Sequence, residues 1–112
     1  MRRSKYGSRK TEIEGIVFDS AAEASRYGQL RMMQNAGMIT GLRRQVSYEI
    51  IPSEKGPDGR SLRPLRYVAD FVYIDCRGIE HVEDVKGVLT REYRIKKRLM
   101  WHILGIAIEE FR

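Results

Sequence analysis

Two acids and a lysine interrupt an otherwise apolar run at residues 81–87, HVEDVKG. In a β-strand, alternate side chains share a face, so Asp84 and Lys86 would point one way and Glu83 the other. A carboxylate and an ammonium placed together form either a solvated ion pair or half of a catalytic site. An acid two residues before a lysine is expected about once by chance in a chain of this composition, and it occurs once. The pattern therefore indicates a catalytic site only if further functional residues lie at suitable positions elsewhere in the chain.

Two further acids are candidate companions of Asp84. Asp70 lies in the strand-like run YVADFVYI, on a face with apolar residues, where it is paired or metal-bound unless it faces solvent or bonds a loop. Glu23 falls in the first turn of a predicted helix, where it either completes a capping box with Ser20 or leans over the sheet. Carboxylates about 4 Å apart repel by about 4 kcal/mol at an effective dielectric near 20, so Lys86 offsets only part of such a cluster. A hard divalent cation, Mg²⁺ or Mn²⁺, would neutralise the rest.

An acidic metal site inside a basic protein suits phosphodiester hydrolysis. The net charge is +6 and the pI is about 9.7, which favours a polyanionic partner, although simple solubility is an alternative reading. A positive surface would hold the nucleic-acid backbone. A metal would polarise the phosphate and acidify a water molecule, and a lysine would stabilise charge or position that water.

The basic residues concentrate near the two ends of the chain. Residues 1–10 predict a flexible basic arm that contacts nucleic acid, through Arg2, Arg3, Lys5, Arg9 and Lys10. A second group predicts phosphate contacts beside the site, with a solvated helix face as the alternative: Arg91, Tyr93, Arg94 and Lys97. We expect no membrane span, because no apolar run is long enough. The lone Cys76 suits a reducing cytoplasm.

The elements that must position these residues can be read from the apolar periodicity. The chain is long enough for one domain, residues 11–112, after the arm. The predicted order is β-α-β-β-β-α-β, a mixed α/β domain with a central sheet flanked by helices. We expect a hairpin or bent strand at 11–18, a helix at 20–36, strands at 44–51, 65–75 and 79–86, an exposed loop at 52–64, a helix at 91–104 and a last strand at 106–111. Gln45 is expected to make an ordinary hydrogen bond, and Trp101 is expected in the core.

The ordered set of Glu23, Asp70 and Asp84-Val85-Lys86 resembles the PD-(D/E)XK nuclease superfamily. The blocks KYGSRKTEIEG, FDSAAEASRY, YVADFVY and VEDVKG resemble, more closely, a small phage- and prophage-encoded branch of it. That branch is similar to Holliday junction resolvases and to the transposon end-cleaving endonuclease domain. The resemblance covers about residues 5–111, and Ala69 stands where the superfamily's name has proline.

The resemblance implies a restriction-endonuclease-like mixed sheet with an αβββαβ core and metal-dependent cleavage of DNA. It makes Asp70 and Asp84 metal ligands, with the Val85 carbonyl as a further ligand. Lys86 becomes the catalytic lysine, and Glu23 the helical acid that completes the catalytic and metal site.

We therefore expect a Mg²⁺- or Mn²⁺-dependent DNA endonuclease that acts on branched or recombination-intermediate DNA. No nucleotide cofactor is expected, because the glycines form no phosphate-binding pattern. A homodimer would let so small a domain cut two strands. The rival hypotheses are a non-catalytic DNA-binding module of a phage replication or recombination complex, and a protein-interaction subunit whose acids are structural.

Overall fold

The computed structural model describes residues 10–86 and 88–111. Within these residues the chain forms eight strands and two helices. In chain order they are β1 (Thr11–Ile13), β2 (Ile16–Phe18), α1 (Ala21–Asn35), β3 (Ile39–Ile51), β4 (Glu54–Lys55), β5 (Ser61–Leu62), β6 (Leu65–Asp75), β7 (Glu80–Val85), α2 (Arg91–Leu104) and β8 (Ile108–Phe111). Neither helix is long and apolar enough to cross a membrane.

Four of the strands form a central mixed sheet in the order β3-β6-β7-β8. The pairs β3–β6 and β6–β7 are antiparallel, and β7–β8 is parallel. A parallel pair needs a crossover connection, and α2 supplies it. With α1 ahead of β3, the elements that build this sheet and its flanking helices follow the order αβββαβ. The predicted mixed α/β class is confirmed.

The two helices cover different faces of the central sheet. Successive strand residues point to opposite faces. In β7, Val82 belongs to one buried cluster, whereas Val85 packs against the other. The first cluster, under α2, contains Ile50, Tyr67, Ala69, Val72, Val82, Tyr93, Met100 and Ile108. The second, under α1 and the β1–β2 hairpin, contains Phe18, Ala24, Tyr27, Leu30, Ile39, Phe71 and Tyr73.

Both helices begin and end as the sequence predicts. The hydroxyl of Ser20 accepts the Glu23 N–H at 3.1 Å at the start of α1, and Thr90 accepts the Tyr93 N–H at 3.1 Å at the start of α2. Each hydroxyl satisfies a backbone donor that the helix cannot. Gly105, with φ 68°, ends α2 in the left-handed conformation that glycine adopts without strain.

Three predictions about the elements need correction. The expected loop at 52–64 contains the short exposed hairpin β4–β5. Strand β3 begins at Ile39 rather than residue 44, since an edge strand does not need strict apolar alternation to pair. Trp101 is 60% exposed, so its expected place in the core is wrong. It follows the buried Met100 by one residue, about 100° around the helix and away from the sheet.

The predicted basic arm, except for Lys10, lies outside the described residues.

A buried ion pair ties α1 to the sheet. Glu83 is fully buried, and its two carboxylate oxygens accept from Nε and Nη2 of Arg26 at 2.8 and 2.7 Å. The Tyr73 hydroxyl donates to the same carboxylate. The sequence places Glu83 on the face opposite Asp84, and on that face it pairs with a cation of α1.

We predict that Glu83→Ala destabilises the fold by about 3–5 kcal/mol, because it leaves the Arg26 guanidinium and the Tyr73 hydroxyl buried without their acceptor. Urea unfolding followed by circular dichroism measures the change. Glu80→Ala, on the same strand, is the matched control. Glu80 forms long, exposed contacts with Arg43 and with the Tyr48 hydroxyl, so its loss should cost no more than about 1 kcal/mol. Equal midpoints for the two variants would contradict the role of the pair.

Candidate functional site

The antiparallel β6–β7 pair brings two aspartates together. Its register joins Phe71 to Glu83 and Val72 to Val82, so one further step places Asp70 opposite Asp84. The two carboxyl groups share a hydrogen bond. Asp84 is 2% exposed, which removes most of the water that would otherwise screen the two charges.

Asp84 is held by a tyrosine and a lysine. Its Oδ2 accepts from the Tyr67 hydroxyl at 2.7 Å and lies 3.3 Å from the Lys86 ammonium. Burial, followed by the hydrogen bond to Asp84, raises the pKa of Tyr67, so its hydroxyl stays a donor. The Lys86 ammonium also lies 4.4 Å from the centre of the Tyr93 ring. Lys86 is therefore fixed between a carboxylate and an aromatic face.

Asp70 is held from two neighbouring strands. Its Oδ2 accepts the Val85 backbone N–H at 2.8 Å, and its Oδ1 accepts from the Gln45 amide at 3.3 Å. The N–H and C=O of one strand residue point to the same neighbouring strand. The Val85 carbonyl therefore also faces the side of β7 on which Asp70 lies.

Glu23 reaches the same cluster from α1. The residue is 6% exposed, and its Oε1 accepts from Gln45 Nε2 at 3.2 Å. Nη2 of Arg44 lies 3.9 Å from that oxygen. The sequence leaves two hypotheses open for Glu23, a capping box or a carboxylate that leans over the sheet. The carboxylate leans over the sheet, while the Glu23 N–H donates to Ser20. The Gln45 amide thus bridges the helix acid and Asp70.

Gln45 adopts a backbone conformation that is rare for its type. Its φ is 51°, in the left-handed region, which costs an L-residue roughly 1–2 kcal/mol. The usual alternation of β3 breaks here. Arg44 lies over Phe18 on the α1 side, with its guanidinium 4.4 Å from the ring centre, whereas Val46 packs against the cluster under α2. The hydrogen bond expected of Gln45 is confirmed. The sequence does not predict that its amide bridges two acids, because a left-handed glutamine has no sequence signature.

Burial and mutual repulsion shift the protonation of the acids. Burial, then the hydrogen bond and charge of Asp84, raise the pKa of Asp70 to about 8, although the Val85 N–H acts in the opposite direction. Burial, followed by the charge of Asp19, raises the pKa of Glu23. Asp70 and Glu23 therefore hold their protons to a higher pH than free carboxyl groups do.

The metal-binding capacity of the cluster is limited. Within residues 10–86 and 88–111, no group of three or more histidine, cysteine, aspartate or glutamate side chains is arranged so that it could hold a metal ion. The oxygens available are the carboxylates of Asp70 and Asp84 and the carbonyl of Val85. Such a set suits Mg²⁺, which keeps several waters and takes one or two protein carboxylates. Glu23 lies behind Gln45 and would act from the rim.

The residues predicted to contact DNA fall into three groups. Four lie outside the described residues: Arg2, Arg3, Lys5 and Arg9. Three are exposed: Lys10, Arg91 and Arg94. The remaining two donate to the same oxygen of Glu110, Tyr93 at 2.8 Å and Lys97 at 2.9 Å. Since Tyr93 is only 5% exposed, the structure gives it a place between Lys86 and Glu110 rather than on the surface.

Comparison with known proteins gives one match. A family model described as a protein of unknown function, DUF1064, matches residues 3–104. No curated protein and no solved structure matches the chain. Because the matched residues span most of its length, the chain belongs to the DUF1064 family of proteins of unknown function.

Proposed function

We propose that this protein is a metal-dependent DNA endonuclease that hydrolyses phosphodiester bonds. The observation that carries the proposal is the opposed pair Asp70 and Asp84, together with the Lys86 ammonium beside the Asp84 carboxylate. Like charges directly opposite each other destabilise a sheet, and burial, followed by the hydrogen bond and charge of Asp84, raises the pKa of Asp70. Proteins depart from such local rules mainly at functional sites.

The oxygens of Asp70, Asp84 and Val85 would hold a Mg²⁺ or Mn²⁺ ion. When bound, such an ion polarises a phosphate oxygen and acidifies a water molecule. The protein must keep the two carboxylates converged whether or not they are charged. Tyr67 does this for Asp84, and the Val85 N–H and the Gln45 amide do it for Asp70. Glu23 would act as a positioning residue, because it reaches Asp70 through Gln45.

Lys86 would stabilise the charge that develops on the phosphate during cleavage. A fixed cation works best when it needs no reorganisation at the moment of reaction. The Asp84 carboxylate and the Tyr93 ring hold the ammonium in that way. The ammonium also lines a cleft of about 270 Å³, together with Arg66 and Lys96. These three cations would hold the DNA backbone next to the bond that is cut.

The nuclease proposal predicts metal-dependent cutting that depends on Asp84 and Lys86. Labelled four-way junction, flap, duplex and single-stranded DNA are incubated with Mg²⁺ or Mn²⁺. Asp84→Asn and Lys86→Ala should each lower the rate of cutting at least about 100-fold, since each removes a group aimed at the reacting phosphate. The matched controls are Glu80→Gln, on the same strand, and Lys55→Ala on the exposed hairpin; both should keep wild-type rates.

Failure of the folded wild-type protein to cut any of these DNAs would overturn the nuclease proposal. Salt-sensitive DNA binding without cutting would then identify a non-catalytic DNA-binding module. Absence of both cutting and binding would favour a protein-interaction role.

The apo protein should lose stability as the pH rises from about 4 to about 8. A raised pKa means that folded Asp70 binds its proton more tightly than unfolded Asp70 does. That contribution is complete below the unfolded pKa near 3.8 and is lost as the pH passes the folded pKa near 8. The expected loss is on the order of a few kcal/mol, measured by urea unfolding in chelator. Asp70→Asn should remove this part of the pH profile. Superimposable profiles of the two proteins would show that Asp70 ionises freely.

Added Mg²⁺ should reverse this loss in the wild-type protein. An ion that binds only the folded state stabilises it by mass action, and it competes with the proton on Asp70. At pH 8 the melting temperature should rise with Mg²⁺ concentration in the wild type and stay constant in Asp70→Asn. An equal rise in both proteins would remove Asp70 from the metal site.

A further inference from the structure

The one tryptophan of the chain lies on the surface among cations. Trp101 is 60% exposed on α2. It lines a groove of about 350 Å³ between α2, the segment before it and β8, which also contains Leu89, Arg94, Lys97, Arg98 and Glu110. Positions 94, 97, 98 and 101 recur at intervals of three and four, so these side chains form one stripe along the helix. We call this surface the Trp101 groove.

The side chains of the Trp101 groove suit a strand with unpaired bases. Proteins that bind single strands combine cations, which follow the phosphates, with aromatic faces on which bases stack. Arg94 and Arg98 are exposed and carry the charge, and the indole of Trp101 offers the flat face. In a duplex the bases stack on one another inside the helix, so the indole would find no free face. The combination therefore favours a single strand over a duplex.

The Trp101 groove adjoins the acidic cluster. Glu110 lines the groove, and its Oε2 accepts from both Lys97 and Tyr93. The face of the Tyr93 ring covers the ammonium of Lys86. One tyrosine thus separates the groove from the proposed catalytic lysine.

We propose that the Trp101 groove binds single-stranded DNA, with a base stacked on the indole and phosphates on Arg94 and Arg98. The assignment of this strand as the substrate segment next to the cut bond rests on the proposed nuclease function. The binding itself does not. The substrate class would then be DNA with an unpaired segment, such as a flap or a branched intermediate.

The fluorescence of Trp101 reports on binding at the Trp101 groove directly, because the chain contains one tryptophan. The full chain is titrated in chelator, which prevents cutting, with oligothymidine of roughly 20 nucleotides and with a hairpin duplex of equal charge. The single strand should change the indole emission saturably and bind at least about fivefold more tightly than the duplex. Equal or tighter binding of the duplex would overturn the proposal.

Variants separate stacking from charge, with affinity measured by the anisotropy of labelled oligothymidine. Trp101→Ala should weaken binding at least about fivefold, and Trp101→Phe less, because it keeps an aromatic face. The double variant Arg94→Ala, Arg98→Ala should reduce the slope of log affinity against log salt by about 1.4, the value for two phosphate contacts on a single strand. The matched double variant Arg60→Ala, Arg63→Ala removes two exposed arginines outside the groove and should leave that slope unchanged.

The remaining outcomes also decide the proposal. Unchanged affinity in Trp101→Ala would overturn it. So would an indole emission that depends on protein concentration without DNA and accompanies dimers in sedimentation, because a second copy would then cover the groove. Binding without cutting overturns only the nuclease function. Cutting of duplex without single-strand binding overturns only this inference.

Discussion

Repulsion between a buried and a partly buried aspartate is the constraint to which the rest of this site responds. Asp70 and Asp84 face each other across the β6–β7 pair, where water cannot screen them well. Their oxygens are restrained by hydrogen bonds from Tyr67, Val85 and Gln45. Each of these donors holds the two carboxyl groups close together and keeps them from turning towards solvent. A sheet optimised for stability alone would place an apolar residue at one of the two positions, and this departure is the reason why we propose a chemical role for the cluster.

Because side chains alternate along β7, the residue that stabilises the fold and the residue proposed to act in catalysis lie on opposite faces of the strand. Glu83 points to the α1 side, where Arg26 and Tyr73 satisfy it completely. Asp84 points to the α2 side, where it contacts Tyr67 and Lys86 and faces Asp70. The Arg26–Glu83 pair anchors α1 one residue away from the acidic cluster. That anchor holds Glu23, on the first turn of α1, in reach of Gln45.

Much of the fold follows from local signals, and less of the site does. Ser20, Thr90 and Gly105 mark helix ends through chemistry that depends on their immediate neighbours. The opposition of Asp70 and Asp84 also follows from the sequence, since a hairpin fixes its own register. The position of Trp101 does not follow, because a residue next to a buried one on a helix falls inside or outside according to the exact edge of the apolar stripe. The contacts of Arg44 and Gln45 are less predictable still, since they depend on a backbone conformation that no local signal encodes.

The left-handed Gln45 shows why such a conformation persists. A strand with regular alternation would keep Arg44 and Val46 on one face, and Gln45 would point away from it. The positive φ of Gln45 lets Arg44 join Phe18 under α1 while Val46 packs under α2, and it turns the amide between Glu23 and Asp70. Roughly 1–2 kcal/mol of backbone strain thereby produces a bridge between two acids that would otherwise repel across a gap. Strain of this size persists where the surroundings over-determine it, and it is concentrated at functional sites. The strained glutamine and the opposed aspartates are therefore two parts of one arrangement: the backbone distortion of β3 holds in place the charge that β6 and β7 bring together.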